Sequence, residues 1–215
     1  MSHDAIEQIV AFVHGVAPQR RVPLVVALDG PSGAGKSYLA QPLAARLGAT
    51  VVPTDDFFAA AIASAQWDAW SPEQRATHVV DWSRVRTQAL LPLLAGHHAR
   101  WHPFDFASGP QADGSYAMSH EWSERAPAPV ILLEGAYSCR PELRDMIDIA
   151  ILVDAPRAVR HARLRDREAP EFLRAWQARW DDVEAYYFAS VAAHSRFDLV
   201  VSTHLTDGSA SRGAG

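Results

Sequence analysis

Eight consecutive residues, Gly30-Pro31-Ser32-Gly33-Ala34-Gly35-Lys36-Ser37, have the types and spacing that handle a polyphosphate. They match the phosphate-binding loop pattern of glycine, four free positions, glycine, lysine and a hydroxyl. Glycines let successive backbone N–H groups turn inward and cradle phosphate oxygens. A lysine ammonium is a compact point charge that reaches the β- and γ-phosphates, which a planar guanidinium does less well. The Ser37 hydroxyl is placed to ligate Mg²⁺ beside the phosphates. Lys36 is the only lysine in the chain, and every other basic side chain is arginine or histidine. The Asn-Lys-x-Asp segment with which GTPase switches read guanine therefore cannot exist here.

Phosphoryl transfer also needs a metal acid, a base and charge stabilisation. Val130-Ile131-Leu132-Leu133-Glu134-Gly135 reads as a strand ending in a carboxylate. Glu134 is placed to hold Mg²⁺ directly or through water, or else is a surface acid at a strand end. Asp55 and Asp56 follow the short run Thr50–Thr54. A carboxylate there can take the proton of an attacking hydroxyl; adjacent acids point in different directions, so one of the two is expected to face a site. The other reading is a pair of turn caps. On a helix, Arg160, Arg163 and Arg167 fall within about 60° of one another. Such a stripe suits a lid closing over phosphates, or a solvated face paired with Asp166 and Glu168. Arg100-Trp101-His102-Pro103-Phe104-Asp105-Phe106 mixes aromatics, a histidine and an acid, as a pocket for a small polar substrate or a packed aromatic turn would. His97, His98 and His102 have no cysteine near them and are not read as a zinc site.

The elements that would position these groups alternate. Residues 4–14 have helical apolar spacing and form the core of a lead-in segment, 1–20. Strands are expected at 22–28, 50–54, 99–101, 129–133, 147–153 and 197–201. Helices are expected at 37–47, stopping at Gly48, and at 81–95. A long helical region runs from Pro156, breaks near Pro170 and continues to about His194. Residues 59–80 read as loop and short helix, residues 105–128 as a mobile loop, and 206–215 as a flexible tail. Apolar strands alternating with helices predict a parallel sheet covered on both faces, with ligands at the carboxyl ends of the strands. Lys36, Asp55, Glu134 and Asp154 all fall at or just beyond such ends.

At 215 residues one domain is the default, and 48% apolar content with 21% charged is ordinary for a globular protein. A net charge of −5 weighs against nucleic acid as a partner. The lone Cys139 excludes an internal disulfide and fits a reducing compartment. No apolar stretch approaches 18 residues, so no membrane partner is expected and the expected location is the cytoplasm. Nothing in the sequence fixes whether the chain forms a homo-oligomer.

The motifs together resemble the uridine kinase, pantothenate kinase and phosphoribulokinase family of P-loop small-molecule kinases, over roughly residues 20–205. Gly30–Ser37 is similar to its ATP loop. Thr54-Asp55-Asp56-Phe57-Phe58 resembles its D-x-F-[YF] segment, and Phe104-Asp105-Phe106 its Y-D-[FH] segment. Glu134-Gly135, then the strand ending at Asp154 and the arginine helix, resembles the metal acid and the lid. The resemblance implies a three-layer α/β/α P-loop fold with a five-stranded parallel sheet and an arginine-rich lid at 155–175. It implies ATP and Mg²⁺, with γ-phosphoryl transfer to a small-molecule hydroxyl. Asp55, Lys36, Arg163 and Arg167 would be catalytic. Gly30, Ser32, Gly33, Ala34, Gly35, Lys36, Ser37, Tyr38 and Arg160 would hold the nucleotide, and Ser37 and Glu134 the metal. Phe58, His102, Phe104, Asp105 and Tyr137 would line the acceptor site. The acceptor half departs from uridine kinases: Phe104 stands where they carry tyrosine, and Ser108-Gly109-Pro110 where a histidine usually follows. The acceptor is thus left open among a nucleoside such as uridine or cytidine, a sugar, a sugar acid and a vitamin precursor such as pantothenate. An ATPase module without an acceptor is the competing expectation.

Overall fold

In the computed structural model, which describes residues 2–17 and 23–204, the apolar runs become five parallel strands. These are β1 (Leu24–Asp29), β2 (Ala49–Pro53), β5 (Val130–Glu134), β6 (Ile149–Asp154) and β7 (Leu199–Ser202), in the order β2-β5-β1-β6-β7. β1 is buried at every position, as a central strand covered on both faces must be. Alternation sorts its side chains between two cores. Val25 and Ala27 join Ile131, Leu133, Phe57, Leu90 and Trp101 on one face. Leu24, Val26 and Leu28 join Leu132, Ile151, Ile9, Leu39 and Leu43 on the other. Each fully buried aliphatic side chain contributes roughly 1.5–3 kcal/mol, so this two-sided burial is what holds the strand ends in register.

Helices α1 (Ser2–Val16) and α2 (Lys36–Leu47) cover the second face. The first face is covered by a helical run made of α5 (Trp82–Arg84), a π-helical stretch (Val85–Leu90) and α6 (Leu91–Leu94). Two short helices, α3 (Ser64–Ala69) and α4 (Pro72–His78), occupy the stretch read as loop and short helix. After β6 come α7 (Arg157–Arg167) and α8 (Pro170–Tyr186). Glu168 and Ala169 are extended between them, because the residue before a proline is pushed out of the helical region. A π turn, Tyr187–Val191, ends the helical run before the expected His194, and a separate 3₁₀ turn follows at His194–Arg196.

One expectation is corrected. Residues 105–128 were expected to be loop, but much of this stretch is one arm of an antiparallel hairpin. β3 (Ala99–Trp101) pairs with β4 (Ser123–Arg125), and bridges Phe104↔Met118 and Pro110↔Tyr116 extend the arm. Its tip is tied to the body by Ser64 N–H to Gly114 O at 2.9 Å and Tyr116 N–H to Ala60 O at 2.8 Å. Gly, Pro and Ser mask such a hairpin in sequence, because three paired residues are too few to show a period of two. Val22 and the 206–215 tail lie outside the described residues. No described helix is long and apolar enough to cross a membrane.

Candidate active site

The phosphate loop leaves β1 and enters α2 at Lys36, so its amides gather at a helix N-terminus, where the helix dipole favours anions. Gly33 has φ +77°, and a Cβ there would sit 2.6 Å from the Arg160 carbonyl oxygen; only glycine fits. Lys36 is buried and curls back over the loop, its Nζ donating to the carbonyls of Gly30 (2.7 Å) and Pro31 (3.2 Å). The Ser37 hydroxyl donates to Glu134 Oε1 at 3.0 Å, across from the end of β1's neighbour β5. Burial holds the Glu134 carboxyl above its ordinary range, with Lys36 opposing. A hydroxyl and a buried carboxylate at this spacing, beside a phosphate cradle, fit Mg²⁺, which takes one or two protein oxygens and fills its shell with phosphates and water.

The carboxylates at the end of β2 separate cleanly. They sit in a 3₁₀ turn, Thr54–Phe57. Asp56 turns away and accepts hydrogen bonds from Trp101 Nε1 (2.7 Å) and Ser123 Oγ (3.4 Å). Asp55 instead lines two adjoining cavities. One, about 200 Å³, holds Gly33, Gly35, Lys36, Ser37, Tyr38 and Glu134. The other, about 540 Å³, is walled by Phe58, Phe106, Tyr137, Trp176 and Trp180. Asp55 is open to water through these cavities yet lies deep in the fold, and that depth raises its carboxyl pKa; Lys36 and Arg167 pull the other way.

The arginine stripe divides. Arg163 Nη1 donates to the carbonyls of Gly33 (3.1 Å) and Ala34 (3.2 Å) and to Thr203 Oγ1 (2.9 Å). Arg160 donates to the Ser32 carbonyl at 3.1 Å. Both therefore buttress the loop backbone from outside, although Arg163 also reaches the phosphate cavity. Arg167 borders both cavities and pairs with Glu168 at 2.6 Å.

The substrate segment is only partly brought in. Phe58 and Tyr137 line the larger cavity. Phe104 lines an adjoining aromatic chamber of about 410 Å³. His102 borders neither; it stacks on Trp122, with ring centroids 3.6 Å apart, along a groove that meets them only at Phe58 and Ala59. Asp105 Oδ1 accepts the N–H groups of Ala107 (2.9 Å) and Ser108 (3.2 Å), which makes it a turn cap in the hairpin arm. The expected His102–Asp105 pocket is not formed, because the arm pairing turns those side chains elsewhere.

Two buried acids escaped the sequence reading. Asp29, at the end of β1, accepts from Gly30 N–H (2.7 Å), Tyr137 N–H (3.0 Å), Cys139 N–H (2.9 Å) and the Tyr187 hydroxyl (2.6 Å). It ties the loop entrance to the segment after β5, where Tyr137 adopts φ 67°, the one positive φ at a non-glycine among the described residues. An acid closing an apolar strand directly before the loop was the available signal. Glu184, on α8, accepts from Ser32 N–H (2.9 Å) and Ser32 Oγ (2.5 Å) and lies 3.7 Å from Arg160. Burial raises its pKa and the Ser32 hydrogen bonds oppose that. In sequence it is one acid among several on a helix, with no signal.

Comparisons with solved structures agree with this geometry. A protein described as a possible uridine kinase from Bacillus stearothermophilus superposes with TM-score 0.68 at 19% identity, covering 93% of this chain and 98% of its own. One assigned as a fructose transport system kinase from Silicibacter sp. TM1040 gives 0.63 at 26% identity, with 89% and 98% covered. D-glycerate 3-kinase from Cryptococcus neoformans gives 0.55 at 15%, with 90% and 88% covered. An RNA helicase family model matches residues 26–96, about a third of the chain, including the phosphate loop. No curated protein matches the sequence. The fold is that of the P-loop kinases, as the resemblance read from the motifs implied.

Proposed function

We propose that the chain is an ATP-dependent phosphotransferase that moves the γ-phosphoryl group of Mg-ATP to a hydroxyl of a small molecule. The observation that carries this reading is the position of Asp55, which borders both the phosphate cavity and the larger aromatic-walled one. Asp55 accepts the acceptor's hydroxyl proton as that oxygen attacks the γ-phosphorus. The new O–P bond forms, the bond to the β–γ bridging oxygen breaks, and ADP leaves. A carboxyl pKa raised by burial suits a base, since proton affinity closer to neutral improves the transfer. Lys36, once turned from the loop carbonyls, neutralises the β- and γ-phosphates. Ser37 and Glu134 hold Mg²⁺, which when bound shields charge on the phosphate oxygens. Arg167 is the cation of the stripe best placed over the transferring group, and Arg160 and Arg163 keep the loop in shape around it. The relatives' names mention uridine, a fructose transport system and D-glycerate.

The second reading, an ATP hydrolase without an acceptor, is favoured by the helicase-model match alone. The test is ADP release from Mg-ATP against a panel of uridine, cytidine, pantothenate, glycerate and free sugars and alcohols, with the Asp55→Asn protein as blank. Acceptor-stimulated ADP release that the blank lacks supports the kinase. Brisk hydrolysis that no acceptor changes supports the hydrolase.

A further inference from the structure

Behind the cavity that Asp55 borders lies the second chamber, and the two share Phe58, Phe106, Trp176 and Trp180 as common wall. On the kinase reading just given, the chamber therefore adjoins the acceptor site across these four rings. Its wall is made of ring faces: Phe58 packs at 5.7 Å on Phe104 and 5.6 Å on Phe106, and Trp180 lies 5.4 Å from Trp67. Its hydroxyls and its guanidinium are already engaged. Ser64 Oγ and Tyr116 OH share a hydrogen bond of 2.8 Å, and Arg179 pairs with Asp68 at 2.8 Å. None of the residues lining the chamber is an acid, an amide or a histidine. A sugar or a nucleobase seated there would give up water contacts on its hydrogen-bonding edges with few partners to replace them, which is costly. A flat or branched apolar group would gain stacking and burial without that loss.

We infer that the acceptor is a small alcohol carrying an aryl or branched apolar group, seated in this chamber, with its hydroxyl projecting past Phe58 and Phe106 to Asp55. The reaction is the same transfer: the alcohol's O–H proton passes to the Asp55 carboxylate, its oxygen bonds the γ-phosphorus, and ADP departs with the bridging oxygen. Selection against sugars, sugar acids and nucleosides then comes from the ring-faced wall.

The experiment uses the full chain with Mg-ATP and two matched sets of alcohols. One set is 2-phenylethanol, 4-hydroxyphenylethanol and benzyl alcohol; the other is fructose, glycerate and uridine. The expected result is turnover with the aryl set. Trp176→Ala should then raise the KM for the aryl alcohol about tenfold, the size of one lost aromatic contact with its burial, while the ATP Kd stays as it was. Trp176→Phe should recover most of that loss, which a merely unfolded variant would not do. Turnover of fructose, glycerate or uridine without turnover of the aryl set would overturn this inference and leave the kinase reading standing. If neither set is turned over, the acceptor assignment fails, and the wider acceptor panel decides the kinase reading.

Discussion

The two halves of the site are built in opposite ways. The phosphate half is backbone: a contiguous loop, a helix N-terminus and the ends of two paired strands, β1 and β5, with Lys36, Ser37 and Glu134 set on them. The acceptor half is side chain: Phe58, Phe106, Tyr137, Trp176 and Trp180 arrive from a turn, a hairpin arm, a strand exit and a helix. A phosphate is recognised by amide N–H groups whose positions depend on chain geometry, so one spacing serves for every polyphosphate. An acceptor is recognised by shape, so the residues that do it differ between relatives that share the fold. Among the described residues, Asp55 is the one carboxylate that borders both cavities, and its side chain accepts no hydrogen bond there, whereas Glu184, also bordering the larger one, is engaged by Ser32.

The sharpest way to separate the halves is Asp55→Asn. Transfer should fall by about 10²–10⁴ while the ATP Kd, measured by calorimetry, stays within about twofold. Equal losses in both would mean that the halves are not separable at this residue. Gly33→Ala attacks the phosphate half alone. The new Cβ meets the Arg160 carbonyl at 2.6 Å in a backbone conformation with φ +77°. Strain of about 1–3 kcal/mol corresponds to roughly ten- to a hundredfold weaker ATP binding, with acceptor binding unchanged. Glu184→Ala leaves the two Ser32 donors and Arg160 without their carboxylate. A loss of about 1.5–3 kcal/mol should lower Tm by roughly 3–10 °C in a thermal melt, and an unshifted melt would show that the loop holds its shape without α8.

The smallest effect is in the pH profile. A base works as the carboxylate, so activity is lost as pH falls through its pKa. Burial raises that pKa, which places the acid limb of kcat/KM above the ordinary aspartate value of about 3.9. Arg167 lowers the Asp55 pKa, so Arg167→Ala should move the limb to higher pH. A limb moving to lower pH would show that a different group titrates.

What could be read in the sequence follows the same division. Gly30–Ser37 and the parallel sheet were legible, because the loop is contiguous and the buried strands are unbroken apolar runs. Asp55 and Asp56 were legible as a pair but not separable, since the choice depends on Trp101 and Ser123 in the hairpin arm. His102 and Asp105 looked like a pocket because they are neighbours in sequence, and cross-strand pairing sends them elsewhere. Trp176, Trp180 and Glu184 gave no signal, because only the packing of α8 over the loop gives them a site to face. Arg163 was legible as a cation near phosphate, while its bonds to the Gly33 and Ala34 carbonyls depend on how α7 packs against the loop.

The most direct measurement is where the γ-phosphoryl group goes. ³¹P NMR of Mg-ATP incubated with the protein and mixed alcohol acceptors follows ADP, inorganic phosphate and any phosphomonoester together. A phosphomonoester resonance that grows in step with ADP, and is absent with Asp55→Asn, is the expected result. Inorganic phosphate growing in step with ADP, at the same rate with and without acceptors and in the Asp55→Asn protein, would contradict it.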